Sequence, residues 1–95
     1  MAEDVVRKRV VVRGRVQGVF YRAWSVETAR TLGLRGWVRN RRDGTVEMLV
    51  QGEVARVGRL IERCREGPPA ARVERIDVEE AQEDAPPGFE TRPTT

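Results

Sequence analysis

At 95 residues, with 39% apolar and 35% charged, the chain has room for one domain and one modest core, and its composition is globular rather than disordered. No run approaches the ~20 apolar residues of a membrane helix, and the acidic start Met1-Ala2-Glu3-Asp4 lacks the apolar stretch of a secretory signal. The formal charge of +3 is uneven: eleven Arg/Lys stand against five Asp/Glu in residues 1–50, and seven against ten in residues 51–95. A basic half of this kind serves a nucleic acid, a small anion, or simply a solvated arginine-rich surface. The single cysteine forms no internal disulfide, which suits a reducing compartment, and the cytoplasm is the expected location.

Residues 1–6 read as a loose lead-in. A first strand is predicted over residues 8–16, with β-branched valines at its centre. It runs into Gly14-Arg15-Val16-Gln17-Gly18-Val19-Phe20-Tyr21-Arg22, a short glycine turn at the mouth of a helix. Such a turn leaves backbone N–H groups unpaired where the helix dipole favours an anion. The first helix is predicted over residues 21–32, with Arg22, Val26, Ala29 and Leu32 on one face and Trp24 on the opposite flank, and Gly33 as a left-handed C-cap. Strands follow at residues 35–42 and 45–51, joined through Asp43-Gly44, a strong hairpin signal. A strict two-residue turn sets Val38 opposite Leu49, whereas alternation buries Val46, Met48 and Val50; a longer loop or a bulge removes that conflict. The second helix is predicted over residues 53–65, with Val54, Val57, Leu60, Ile61 and Cys64 on its apolar stripe and no side-chain cap. Gly67-Pro68-Pro69 stops it. A fourth strand covers residues 72–80 with Ile76 and Val78 inward, residues 81–88 form a polar loop, and residues 89–91 add a short edge strand before a loose tail at 93–95.

The order β-α-β-β-α-β predicts an α+β, ferredoxin-like sandwich: a four-stranded antiparallel sheet, with a short fifth edge strand added, and both helices on one face. One domain spans residues 1–95. The fold names no function.

Chemistry is narrowed by what is missing. There is no histidine, Cys64 lies on an inner helical stripe, and the carboxylates lack the spacing of a metal cage. An enzyme built from this chain needs a substrate with a good leaving group. Arg22, in the first turn of the helix, is either a surface arginine or a fork that grips a phosphate by two hydrogen bonds. Asn40 either serves the Asp43-Gly44 turn or points from the end of its strand to the helix-covered rim, where a neutral amide holds a water.

Taken together, Gly14-Arg15-Val16-Gln17-Gly18-Val19-Phe20-Tyr21-Arg22, then Leu32-Gly33-Leu34-x-Gly36-Trp37-Val38-Arg39-Asn40 and Asp43-Gly44-Thr45-Val46-Glu47, resemble the acylphosphatase family. The resemblance spans roughly residues 7–92. It implies hydrolysis of carboxyl-phosphate anhydrides to a carboxylate and inorganic phosphate, with no metal and no cofactor. It assigns phosphoryl binding to Arg22 and to the amides of the loop from Gln17, Gly18, Val19, Phe20 and Tyr21, and orientation of the attacking water to Asn40. Tyr21 stands where many relatives have phenylalanine, a change expected to be harmless. The implied partner is a small-molecule acyl phosphate, with inorganic phosphate as a competing anion, acted on by a monomer without nucleic acid or membrane.

Three other readings share the fold. An RNA-binding module stacks bases on aromatics of its first and third strands, and here those strands carry none. An acylphosphatase-like domain also serves as the N-terminal part of a larger carbamoyl-transfer enzyme, although a chain ending at 95 residues suits a free-standing protein. The last is a phosphate-binding domain without turnover.

Overall fold

The computed structural model describes residues 4–95. Its elements are β1 (Val5–Arg15), α1 (Tyr21–Thr31), β2 (Arg35–Asn40), β3 (Val46–Glu53), α2 (Val54–Cys64), β4 (Arg72–Glu80) and β5 (Phe89–Thr91). They form one sheet in the order β4-β1-β3-β2-β5. The four long strands pair antiparallel, and β5 joins β2 in parallel. This is the ferredoxin-like α+β fold, with the expected fifth strand present.

Alternation decides which side is covered. Val10, Val12, Val38, Val46, Met48 and Val50 form one core cluster with Ala29 of α1 and with Val57, Leu60 and Cys64 of α2. Both helices therefore lie on that face. The opposite face carries a smaller cluster of Trp37, Leu49, Ala81 and Ala85, so the segment after β4 is partly a lid over Trp37 rather than a free polar loop. The guanidinium groups of Arg39 and Arg92 lie 4.5 and 5.1 Å from the Trp37 ring centre. Glu47, also on this face, is buried between Arg9 and Arg39 at 3.1 and 2.9 Å, which pairs its charge.

The hairpin register is resolved by a longer loop. Asn40 pairs with Val46 and Val38 with Met48, leaving residues 41–45 as the connection and all three predicted β3 residues buried. Gly33 takes φ +70°, and the N–H of Leu34 behind it donates to Ala29 O, as expected of a left-handed cap.

Several expectations need correction. Val5 and Val6 are not a loose lead-in: they extend β1 by pairing with Glu53 and Gly52, while residues 1–3 of that lead-in lie outside the described residues. The tail is tied down as well, since the Thr95 N–H donates to Asn40 O and Thr95 O accepts from Arg42 N–H. Gly14 sits inside β1, not in the turn, at a bulge where the β1–β4 register shifts; its φ of +128° and the closeness of Arg72 O exclude any Cβ. The buried face of α1 is Tyr21, Ser25, Thr28 and Ala29, and Trp24 packs edge-on against Tyr21 at 5.3 Å. Ser25 and Thr28 tolerate burial because their hydroxyls donate to Tyr21 O and Trp24 O one turn back. Val54, at the first position of α2, is 50% exposed, and the helix is capped after all by Glu53, whose carboxylate accepts from Arg56 N–H. Val78 pairs with Val10 on the helix side but stays 42% exposed, because β4 is the sheet edge. No helix among the described residues is long and apolar enough to cross a membrane.

Candidate active site

After its bulge β1 ends at Arg15, and residues 16–20 turn the chain into α1. Two residues of this turn are left-handed, Gly18 at φ +73° and Phe20 at φ +64°. Glycine adopts this region freely, whereas a phenylalanine incurs a cost of roughly 1–2 kcal/mol. The turn and the first helical turn leave amide donors unused. Among the described residues no backbone carbonyl accepts from the N–H groups of residues 18–22. They open where the helix dipole is positive, so the local field favours an anion.

The chain brings one further charge and one further dipole to this spot. Arg22 lies in the first turn of α1, partly buried, and takes part in none of the ion pairs among the described residues. Asn40 ends β2 on the helix-covered face, and its Oδ1 is buried with no hydrogen-bond partner among the described residues. A buried acceptor without a partner is costly, roughly 1–3 kcal/mol, unless a guest supplies the donor. Gly18, Phe20, Tyr21 and Arg22 from the loop and Asn40 from β2 line one cavity of about 450 Å³. Its remaining walls are Val16, Ala23 and Thr91. Among the described residues no carboxylate, thiol or imidazole lines it.

Of the loop residues expected to bind phosphate, four line the cavity and two turn their side chains elsewhere. Val19 is buried in the core and anchors the turn from below. Gln17 has a role that the sequence did not suggest. Its Nε2 donates to Arg41 O at 2.7 Å and to Thr45 O at 2.8 Å, clamping the loop onto the β2–β3 connection beside Asn40. That connection is itself braced, because the Asp43 carboxylate accepts from the Thr45 hydroxyl at 2.6 Å and from the Thr45 N–H at 3.0 Å. The Thr45 hydroxyl, and after it the amide, hold the Asp43 carboxyl below its ordinary pKa.

Tyr21 lines the cavity, and its hydroxyl anchors the helix. Its hydroxyl donates to Cys64 O at 2.6 Å, and burial pushes its pKa upward. Burial likewise pushes the Cys64 thiol up to about 12, so both groups stay protonated at neutral pH, and Cys64 is core as expected. A larger depression of about 690 Å³, bounded by Arg30, Arg56 and Arg59, lies between the end of α1 and the start of α2. It has basic walls but no buried unpaired acceptor among the described residues.

Residues 8–91 match the family model for acylphosphatase. An acylphosphatase of Rhizorhabdus wittichii is 52% identical over 91 residues, covering 96% of this chain and 92% of the relative. One from Acidovorax sp. is 51% identical over 96 residues, 99% of each chain. Among solved structures, an acylphosphatase from Coxiella burnetii matches with a TM-score of 0.89 and 37% identity, covering 94% of both chains.

Proposed function

The chain belongs to the acylphosphatase family, and we propose that it hydrolyses acyl phosphates with Arg22 and the loop amides on the phosphoryl group and Asn40 on the attacking water. The observation that carries this assignment is the single cavity in which unpaired amide donors, an unpaired arginine and an unpartnered buried amide oxygen meet.

Each part answers a need of the reaction. The phosphoryl group carries negative charge spread over its oxygens, and its transfer passes through a loose state governed by positioning and charge stabilisation. The amides of Gly18, Val19, Phe20 and Tyr21 offer fixed dipoles, and Arg22 adds a permanent positive fork. Asn40 Oδ1 accepts a hydrogen bond from water and directs the water's lone pair at phosphorus. Water adds to phosphorus, the P–O bond to the acyl group breaks, and carboxylate and inorganic phosphate result. The leaving carboxylate has a conjugate-acid pKa near ~4, so it departs without a general acid. The water's proton passes to a phosphoryl oxygen, since the cavity walls hold no base. Arginine and amides supply the charge a metal would otherwise bring, so the reaction is metal-independent and uses no cofactor.

The same cradle accepts inorganic phosphate as a competing anion. Neither nucleic acid nor membrane takes part, and the expected setting is the cytoplasm. The enzyme acts as a monomer: the edge strand β4 carries Arg72, Glu74, Arg75, Asp77, Glu79 and Glu80, a density of charge that discourages strand-to-strand association. The test is phosphate release from acetyl phosphate by the purified chain, with Arg22→Ala as control. Turnover by the parent and a loss of at least about 10²-fold in the variant are expected; equal rates would refute the assignment.

A further inference from the structure

The depression between the end of α1 and the start of α2 gathers three arginines that the proposed reaction does not use. Its volume of about 690 Å³ falls within the ~300–1,000 Å³ usual for small-molecule sites, and Arg30, Arg56 and Arg59 form its basic walls. No residue lines both this depression and the cavity at Asn40. Arg22 and Arg30 stand near opposite ends of α1, roughly 12 Å apart along its axis, so the two sites are separate.

The three charges are not balanced within the fold. Among the described residues none of these arginines takes part in an ion pair, and no carboxylate lines the depression. The nearby acids are engaged elsewhere: Glu53 accepts from the Arg56 backbone N–H at 3.3 Å, and Glu62 lies 3.9 Å from Arg65. Arg30, in the last turn of α1, offsets the negative end of that helix. Arg56 and Arg59 have no such excuse. The first turn of α2 holds no acidic residue and carries Arg56 where the dipole disfavours a cation. Arg59 follows three residues later on the same helix face, a like-charge spacing that destabilises a helix. Gly33 keeps the space open, since a Cβ there would stand 3.2 Å from Arg56 Nη1.

We infer that this depression binds a chain of phosphates, either an inorganic oligophosphate or the triphosphate of a nucleotide. A single phosphate engages one or two guanidinium forks, whereas contiguous phosphates set a negative charge against each of the three. The bound chain relieves the repulsion between Arg56 and Arg59 and supplies the anion that the first turn of α2 lacks. The lining offers Leu32 and Ala55 but no aromatic ring for a base to stack on, so recognition ends at the phosphates.

The experiment is an amide-resolved NMR titration of the parent and of an Arg56→Gln/Arg59→Gln variant at low ionic strength. The probes are inorganic tripolyphosphate, ATP without added metal, and inorganic phosphate. Tripolyphosphate and ATP move the amide signals of residues 30–33 and 55–59 of the parent at similar concentrations, and inorganic phosphate requires at least about tenfold more. The variant requires roughly tenfold more tripolyphosphate than the parent. Both replaced side chains are exposed, so the variant folds, and its residues 18–22 still respond to inorganic phosphate as they do in the parent. No response of residues 30–33 and 55–59 to tripolyphosphate, or an equal response in the variant, would overturn the site. A response to ATP alone, or equal potency of inorganic phosphate, would overturn recognition of a phosphate chain.

Discussion

The Gln17 clamp permits the sharpest structural perturbation, because it joins the loop before α1 to the strand end carrying Asn40 without lining the cavity itself. Gln17→Leu keeps size and removes the donor. Two hydrogen bonds disappear, at 2.7 and 2.8 Å to Arg41 O and Thr45 O. Neither carbonyl is orphaned, since Arg41 O still accepts from Gly44 N–H and Thr45 O from Arg41 N–H. The cost therefore sits at the net value of each bond rather than at a full desolvation penalty, about 1–2 kcal/mol in all. For a domain of this size that corresponds to a fall in Tm of roughly 5–15 °C. The kinetic effect is larger in proportion: a displacement on the order of 1 Å between phosphoryl group and water costs about 10²-fold in kcat. Gln17→Glu is worse than Gln17→Leu, because a carboxylate facing two carbonyls repels them. The assay pairs a thermal melt with kcat for acetyl phosphate, measured well below the lower Tm. A Gln17→Leu protein that melts with the parent and turns over at the parental rate would refute the clamp.

Tyr21→Phe removes the buried hydroxyl that donates to Cys64 O at 2.6 Å, so it lowers stability by about 1–2 kcal/mol in urea unfolding while leaving kcat within about twofold. Phenylalanine at this position is thus predicted to spare turnover while lowering stability. Alkaline pH weakens the fold through two groups whose folded pKa is raised. The Cys64 thiol, ordinarily at 9.0, is pushed up to about 12 by burial, and Tyr21 moves the same way from 10.0. Stability is full below pH 9 and then falls, because the unfolded chain releases these protons before the folded one does. The slope approaches about 1.4 kcal/mol per pH unit for each group, and Cys64→Ala flattens it between pH 9 and 10 in urea titrations. EDTA leaves phosphate release unchanged, as a site charged by arginine and amides requires; clear inhibition that added divalent metal reverses would contradict the chemistry.

Local signals in the sequence located most of the framework. The β4 bounds, the Gly33 cap and the turn at Asp43-Gly44 were legible because propensity, turn chemistry and alternation agree there. The buried face of α1 was not, because Ser25 and Thr28 count as polar in any pattern yet satisfy themselves within the helix. The Glu53 cap was missed because glutamate is not among the usual capping residues. In the site, Arg22 and Asn40 were legible as residue types placed near a helix N-terminus, and the structure brings both to one cavity. The Gln17 clamp was not, since its partners lie 24 and 28 residues away and leave no local pattern. Phe20 gave no sign of its left-handed backbone, which follows from the close entry of the loop into α1 and not from any preference of phenylalanine.

The most direct measurement is an amide-resolved NMR titration of the parent, Arg22→Ala and Asn40→Ala with inorganic phosphate. Phosphate should move the amide signals of residues 18–22 in the parent and in Asn40→Ala at similar concentrations, and should leave them in place in Arg22→Ala. Shifts centred on Arg30, Arg56 and Arg59, or an unchanged response in Arg22→Ala, would contradict a cradle completed by Arg22.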